Sequence, residues 1–309
     1  MQWKFELVAG PYKGPTYGVA WDRSGLLFSA TAENSILRYD PKSGSVTEFR
    51  RYMAGIKGLA LDAEGNVYGC QSSSRRLVRF NRDGSTSPME HKLEGKFHNH
   101  PYALAADAGG HVWFSDPVDT APTRGPQLHG PLPHRSVLRL EKRPDGAWQL
   151  KRLTYDTQSP GAVLISQDQR TLYVSENADT PEGKRELRAY PIQQDGSLGA
   201  HVVMHTFGAD HRGIHRGISG MCHDTEGNIL ACAGWAKSGP GPLIYVFAPS
   251  GRILETHVVP VDQPLMCAFG DADLRTLYVT TQGGHLYRAG NTERQGWILN
   301  AIRQGSKSS

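Results

Sequence analysis

TYGVAWDRSGLLFSAT, residues 16–31, is a short apolar strand, a D-x-x-G turn and a second apolar strand, and the chain repeats it. The further copies are IKGLALDAEGNVYGCQ (56–71), PYALAADAGGHVWFSD (101–116), PGAVLISQDQRTLYVSE (160–176), ISGMCHDTEGNILACA (218–233) and LMCAFGDADLRTLYVTT (265–281). Self-similarity at a period of roughly 40–60 residues, with several strands per unit, marks a propeller of four-stranded blades. A third strand follows each pair: SILRYD (35–40), RLVRFN (76–81), SVLRLE (136–141), ELRAYP (186–191), LIYVFA (243–248) and HLYRAG (285–290). Turn signals and a fourth strand complete the first five units, but the sixth has no convincing fourth strand. The N-terminal WKFELV, alternating Trp3, Phe5 and Leu7 on one face, can supply it; a strand around Trp297–Leu299 competes for the place. The expectation is an all-β chain: one six-bladed β-propeller of four-stranded antiparallel blades, closed by the N-terminal strand. It is a single domain over residues 1–309, with a long lid-like loop at 117–135 and a C-terminal tail at about 291–309.

The formal net charge of +4 on 309 residues is small, and Lys and Arg are scattered among Asp and Glu. That pattern suits a mixed, solvated surface and excludes a nucleic-acid face. No apolar run reaches membrane-spanning length, and the start MQWKFELVAGPYKG lacks the apolar core of a secretion signal. A cytoplasmic protein without membrane or nucleic-acid partners is expected. Cys70 and Cys232 hold the same register three repeats apart, on opposite sides of a six-membered ring and beyond the ~7 Å Cα limit for a disulfide. Cys222 and Cys267 fall on inner strands as small buried hydrophobes. Free thiols are expected.

Antiparallel neighbours place the starts of inner strands and the ends of second strands on one face, with the D-x-x-G turns on the other. Asp22, Asp62, Asp107 and Asp224 are therefore turn residues, whose side chains bond the turn backbone. Aligned repeats put Tyr17, Lys57, Tyr102, Gly161, Ser219 and Met266 at the tunnel mouth, with Asp116 and Glu176 among the strand ends. The loops add His98, Asn99 and His100 (FHNHP), His211, His215 and Arg216 (DHRGIHRG), and His134 beyond the Pro- and Gly-rich insert. Each histidine alone fits an ordinary surface role. Carboxylates, tyrosines, a lysine, His and Arg converging on one concave face make a candidate small-molecule site.

The run CAFGDADLRTLYVT resembles the last-blade signature of the SMP-30/gluconolactonase/luciferin-regenerating-enzyme family; GHVWFSDP resembles its third blade and SQDQRTLYVSEN its fourth. The resemblance covers most of residues 15–290. It implies a six-bladed propeller with lactonase or related esterase chemistry around one divalent cation. The family's Glu-Gly-Pro-Val-Trp segment, whose Glu binds the metal, aligns here with Tyr17, Gly18, Val19, Ala20 and Trp21. Its metal-binding Asn aligns with Gly161, its metal-binding Asp with Ser219, and a substrate-side Asn with Tyr102. Hard cations need several oxygen ligands, preferably anionic. Tyrosine, glycine and serine do not supply them, so no metal is expected at Tyr17, Gly161 and Ser219.

Three functions follow. The first is an enzyme acting on a small molecule, a lactone or ester foremost, by acid–base chemistry without a cofactor. Glu176, Asp116, His100 or His215 would serve as base, and Tyr17, Tyr102, Lys57 or Arg216 would stabilise the oxyanion. His98, Asn99, His134, Ser219 and Met266 would line the substrate. The second is a lyase or isomerase with a rebuilt histidine site, in which His98 and His100, with His211, His215 or His134, hold a transition metal. The third is a non-catalytic small-molecule-binding propeller.

Overall fold

The computed structural model describes residues 2–119 and 129–299. Apart from two single turns of 3-10 helix, Thr31–Glu33 and Ser72–Ser74, its regular structure is all strand. Blade one is Thr16–Trp21, Leu26–Ala30, Ser35–Tyr39 and Val46–Arg51, ordered from the inside outward. Blade two runs from Ile56–Leu61 to Thr86–Pro88 and blade three from Leu104–Ala106 to Trp148–Arg152. Blade four runs from Pro160–Ile165 to Val202–Thr206, and blade five from Ile218–Asp224 to Ile253–Val258.

Blade six takes only Pro264–Gly270, Thr276–Thr281 and Leu286–Ala289 from its own repeat. Glu6–Ala9 adds the fourth strand, with Glu6 opposite Arg288 and Leu7 opposite Tyr287, and closes the ring as the sequence implied. The details differ from the expected alternation. Trp3 precedes the strand and is buried by stacking on His257 of blade five, ring centres 3.8 Å apart, while Leu7 is 53% exposed. The competing C-terminal segment does pair, but elsewhere: Gly296–Trp297 joins the inner strand of blade five, with Trp297 opposite His223.

The turns explain why the pattern was so regular. Asp22 Oδ1 accepts the N–H groups of Ser24 (3.0 Å) and Gly25 (2.9 Å). Asp62 and Asp224 bond the same way to residues two and four ahead, and Asp107 to His111. Such an Asx turn satisfies donors that would otherwise be orphaned between strands. Between blades the core is apolar: Ala20, Leu27 and Ile36 of blade one meet Ile56, Leu59, Val67, Val78 and Phe80 of blade two. Each such side chain contributes about 1.5–3 kcal/mol when fully buried. Inner strands come close enough that a Cβ on Gly58 would stand 2.7 Å from the Tyr102 carbonyl. All four cysteines are free; the Cys222 and Cys267 sulfurs lie 3.6 Å apart. Among the described residues no helix is long and apolar enough to cross a membrane.

Candidate functional site

The mouth is shaped by irregularity in the inner strands. Pairing slips between Tyr17 and Val19, Ile56 and Leu59, Pro160 and Val163, Ile218 and Gly220, and Pro264 and Cys267. An extra residue of this kind bends a strand and re-aims its side chains. Tyr17, Tyr102, Gly161 and Ser219 line a cavity of about 320 Å³ there, together with His215 and Arg216. Lys57 and His100 line an adjoining hollow of about 410 Å³ that shares Ser159, Asn177 and Asp179 with the first. Both volumes lie in the range of small-molecule sites, about 300–1,000 Å³.

Tyr17 and Tyr102 meet edge to face with ring centres 6.0 Å apart. Burial pushes the Tyr102 hydroxyl up from its ordinary pKa, and Tyr17 adds to the effect. Tyr102 is therefore a neutral hydrogen-bond donor at physiological pH. The Lys57 ammonium sits 6.0 and 5.8 Å from the two ring centres, but its charge is matched by Asp119 at 2.7 Å.

The two strand-end carboxylates look inward to the protein. Glu176, 1% exposed, accepts the N–H groups of Gln158 and Ser159 and pairs with Arg188 at 3.3 Å. Burial pushes its carboxyl up against the pull of those donors. Asp116, also 1% exposed, accepts the Asn99 N–H at 2.7 Å and faces His98 Nδ1 at 3.1 Å. Asn99 in turn donates to the His134 carbonyl and accepts from the Leu132 N–H, so this trio fastens the two ends of the long loop. Residues 120–128 of that loop lie outside the described residues. The cavity walls carry the next residue along in each case, Pro117 and Asn177. A strand's side chains alternate, so a one-residue slip exchanges buried for lining.

His215 and Arg216 reach the cavity from the end of a small hairpin, Ala209–Asp210 and Gly213–Ile214. His215 Nε2 is 3.7 Å from Asp210 Oδ2. The Gly239 backbone N–H, with Arg212, holds the Asp210 carboxyl well below the usual range. His100 Nδ1 accepts the Asp119 N–H at 3.1 Å, which leaves its other nitrogen as the N–H donor; burial pulls its pKa down, so the ring is neutral. Met266 is buried in a core cluster with Val19, Trp21 and Leu265. Sequence alignment of repeats missed Asn177, Asp179, Arg185 and Trp235, all of which line the cavity. A signal existed for Asn177. Its amide lies where side chains on Gly161 and Gly217 would have to be, so those two glycines leave room for it.

The donors at Tyr17, Gly161 and Ser219 do not fit a hard cation. One is a phenol, one has no side chain and one is an uncharged hydroxyl, and the neighbouring Tyr102 is held neutral. His98 is spent on Asp116 and fully buried, while His100 faces the hollow, so the two do not converge. Among the described residues no three His, Cys, Asp or Glu gather as a metal-binding group.

Residues 17–283 match the family model described as SMP-30/Gluconolactonase/LRE-like region. A 6-deoxy-6-sulfogluconolactonase from Pseudomonas putida is 28% identical over 139 residues, 45% of this chain and 43% of that protein, so the match spans less than half of either. A solved gluconolactonase from Xanthomonas campestris is 26% identical, with a TM-score of 0.76 over 93% of this chain and 89% of that one. A luciferin-regenerating enzyme shares the fold at 21% identity, with a TM-score of 0.74 over 96% and 97% of the two chains.

Proposed function

The chain belongs to the SMP-30/gluconolactonase/LRE-like family, and on that premise we propose that it hydrolyses a small lactone in the central cavity without the family's divalent cation. The observation that carries the reading is that two phenols and a histidine line one cavity of about 320 Å³, with the Asp210 carboxylate 3.7 Å from the histidine's Nε2. In this scheme the Asp210 carboxylate orients His215, whose ring takes a proton from a water as that water attacks the lactone carbonyl. The Tyr17 and Tyr102 hydroxyls donate to the oxyanion, each donor supplying about 2.7–4 kcal/mol in a water-poor site. The ring C–O bond then breaks, the proton passes from His215 to the leaving alkoxide, and a hydroxy acid departs. The lactonase names of the Pseudomonas and Xanthomonas relatives support the substrate class. The four free cysteines support a reducing, cytoplasmic setting.

The test is hydrolysis of five- and six-membered sugar lactones by the purified protein, before and after EDTA. Turnover that survives EDTA and falls about 10²-fold in His215→Gln is the expected result. Failure of the wild type to open any lactone refutes the hydrolase reading. Complete loss on chelation, restored by a divalent ion, refutes the metal-free scheme.

A further inference from the structure

Two arginines line the cavity without a carboxylate partner. Arg185, at the start of the third strand of blade four, is 7% exposed, and its Nη1 donates to the carbonyls of Thr180 (2.8 Å) and Ala178 (3.4 Å). Its Nε–H is buried and has no hydrogen-bond partner among the described residues. Arg216 is half-buried and, among the described residues, its side chain reaches only the Pro264 carbonyl, at 3.4 Å. No ion pair forms at either among the described residues, and residues 1, 120–128 and 300–309 contain no Asp or Glu that could supply one. By contrast, buried Arg188 has both Glu186 and Glu176.

Eight buried side-chain polar atoms lack a hydrogen-bond partner among the described residues, and three belong to residues on this one cavity wall: Asn177 Oδ1, Arg185 Nε and His215 Nε2, the last with only the Asp210 carboxylate near it, at 3.7 Å. Buried polar groups are paired as a rule, so such a concentration marks where a ligand completes the set. A guanidinium taken out of water without an anion carries a desolvation penalty that its ligand must offset. Asn177 Nδ2 donates to the Ile218 carbonyl, which makes Oδ1, packed beside Gly217, an acceptor with no hydrogen-bond partner among the described residues. The carboxylate of Asp179 stands at the exposed rim, where solvent screens it.

We propose that this cavity is built for a hydroxylated substrate bearing a fixed anionic group, a carboxylate or sulfonate, held between Arg185 and Arg216 with a hydroxyl on Asn177. The proposal rests on the cavity being the substrate site, and it extends the lactone reading by giving the substrate its charge.

Calorimetric binding with sugars that contain no lactone separates it from turnover. The probes are methyl glucuronide, methyl 6-deoxy-6-sulfoglucoside and neutral methyl glucoside, alike except at the sixth carbon. At least one anion should bind about tenfold or more tighter than the neutral sugar, and lose that advantage in high salt. Arg185→Gln and Arg216→Gln should each bring the ratio towards one. Arg216 is half-buried, so its variant serves even where the Arg185 variant misfolds. Equal affinities, no detectable binding of either anion at millimolar concentration, or a preference that survives in a folded variant overturns the proposal. A protein that prefers the anion yet opens no lactone would keep this site and lose the hydrolase reading.

Discussion

Glu176→Gln separates an anchoring carboxylate from a catalytic one. Glu176 Oε1 accepts from the Gln158 and Ser159 backbone, and Oε2 accepts from Gln158 and from Arg188 at 3.3 Å. The amide keeps one acceptor but turns an NH₂ toward the guanidinium, so one charge-assisted bond is lost. Such a bond is worth about 1.5–3 kcal/mol. The larger ~3–5 kcal/mol of a broken buried pair does not apply, because Arg188 keeps Glu186 at 2.8 Å.

With an unfolding entropy of about 2.1 cal/mol/K per residue over 309 residues, that loss lowers Tm by about 2–5 °C. Lactone hydrolysis at 25 °C should change only several-fold, through looser placement of Ser159 on the cavity wall. Thermal melts and initial rates on the same preparations measure both. A kcat that drops by about 10²–10⁴ with an unmoved Tm is the signature of a general base, and it would refute the anchoring argument.

Tyr102→Phe should lower kcat about 10²–10³-fold with little change in Tm, because it removes one oxyanion donor; steady-state kinetics decide it. Since burial raises that phenol above its ordinary 10.0, no loss of activity below pH 10 should trace to its ionisation. Burial also lowers the pKa of His100, His134, His205, His223 and His257 from 6.5. The unfolded chain then binds more protons than the native one below about pH 6.5, so stability is full above that value and is lost as pH falls through the depressed pKa values. Melts from pH 7.5 to 5 should show Tm falling, and a flat profile would contradict these burials. A thiol reagent should find Cys70, Cys232 and Cys267 closed in the native protein and open only after denaturation, since all three are buried and form no disulfide.

The fold was legible because its signals are local and repeated. Each D-x-x-G turn closes on its own aspartate within four residues, as Asp22, Asp62 and Asp224 do, so the spacing survives whatever surrounds it. The role of the N-terminal strand followed from a vacancy, since a sixth unit with three strands needs a fourth from somewhere. Trp3 was less legible. Its burial against His257 depends on a residue 254 positions away, and period-two alternation carries no information about that.

The site was legible mainly where strand order fixes position, with His215 and Arg216 of the DHRGIHRG loop added. Tyr17, Tyr102, Gly161 and Ser219 could be placed by aligning inner strands, and they do line the cavity. Glu176 and Asp116 were aligned equally well, but the neighbours Asn177 and Pro117 line it instead, because alignment conserves rank along a strand and not the side it faces. Arg185 was out of reach for another reason: it opens a third strand, and only inner-strand starts, second-strand ends and loops were assigned to the mouth. The charges gain their meaning together. Where the resemblance implies anionic ligands, this chain has a phenol, a glycine and a serine, so the one carboxylate lining the mouth is that of Asp179 at its exposed rim. The changes that make a hard cation a poor fit therefore leave Arg185 and Arg216 on the cavity wall without an ion pair among the described residues, and the cavity's preference turns from cations to anions.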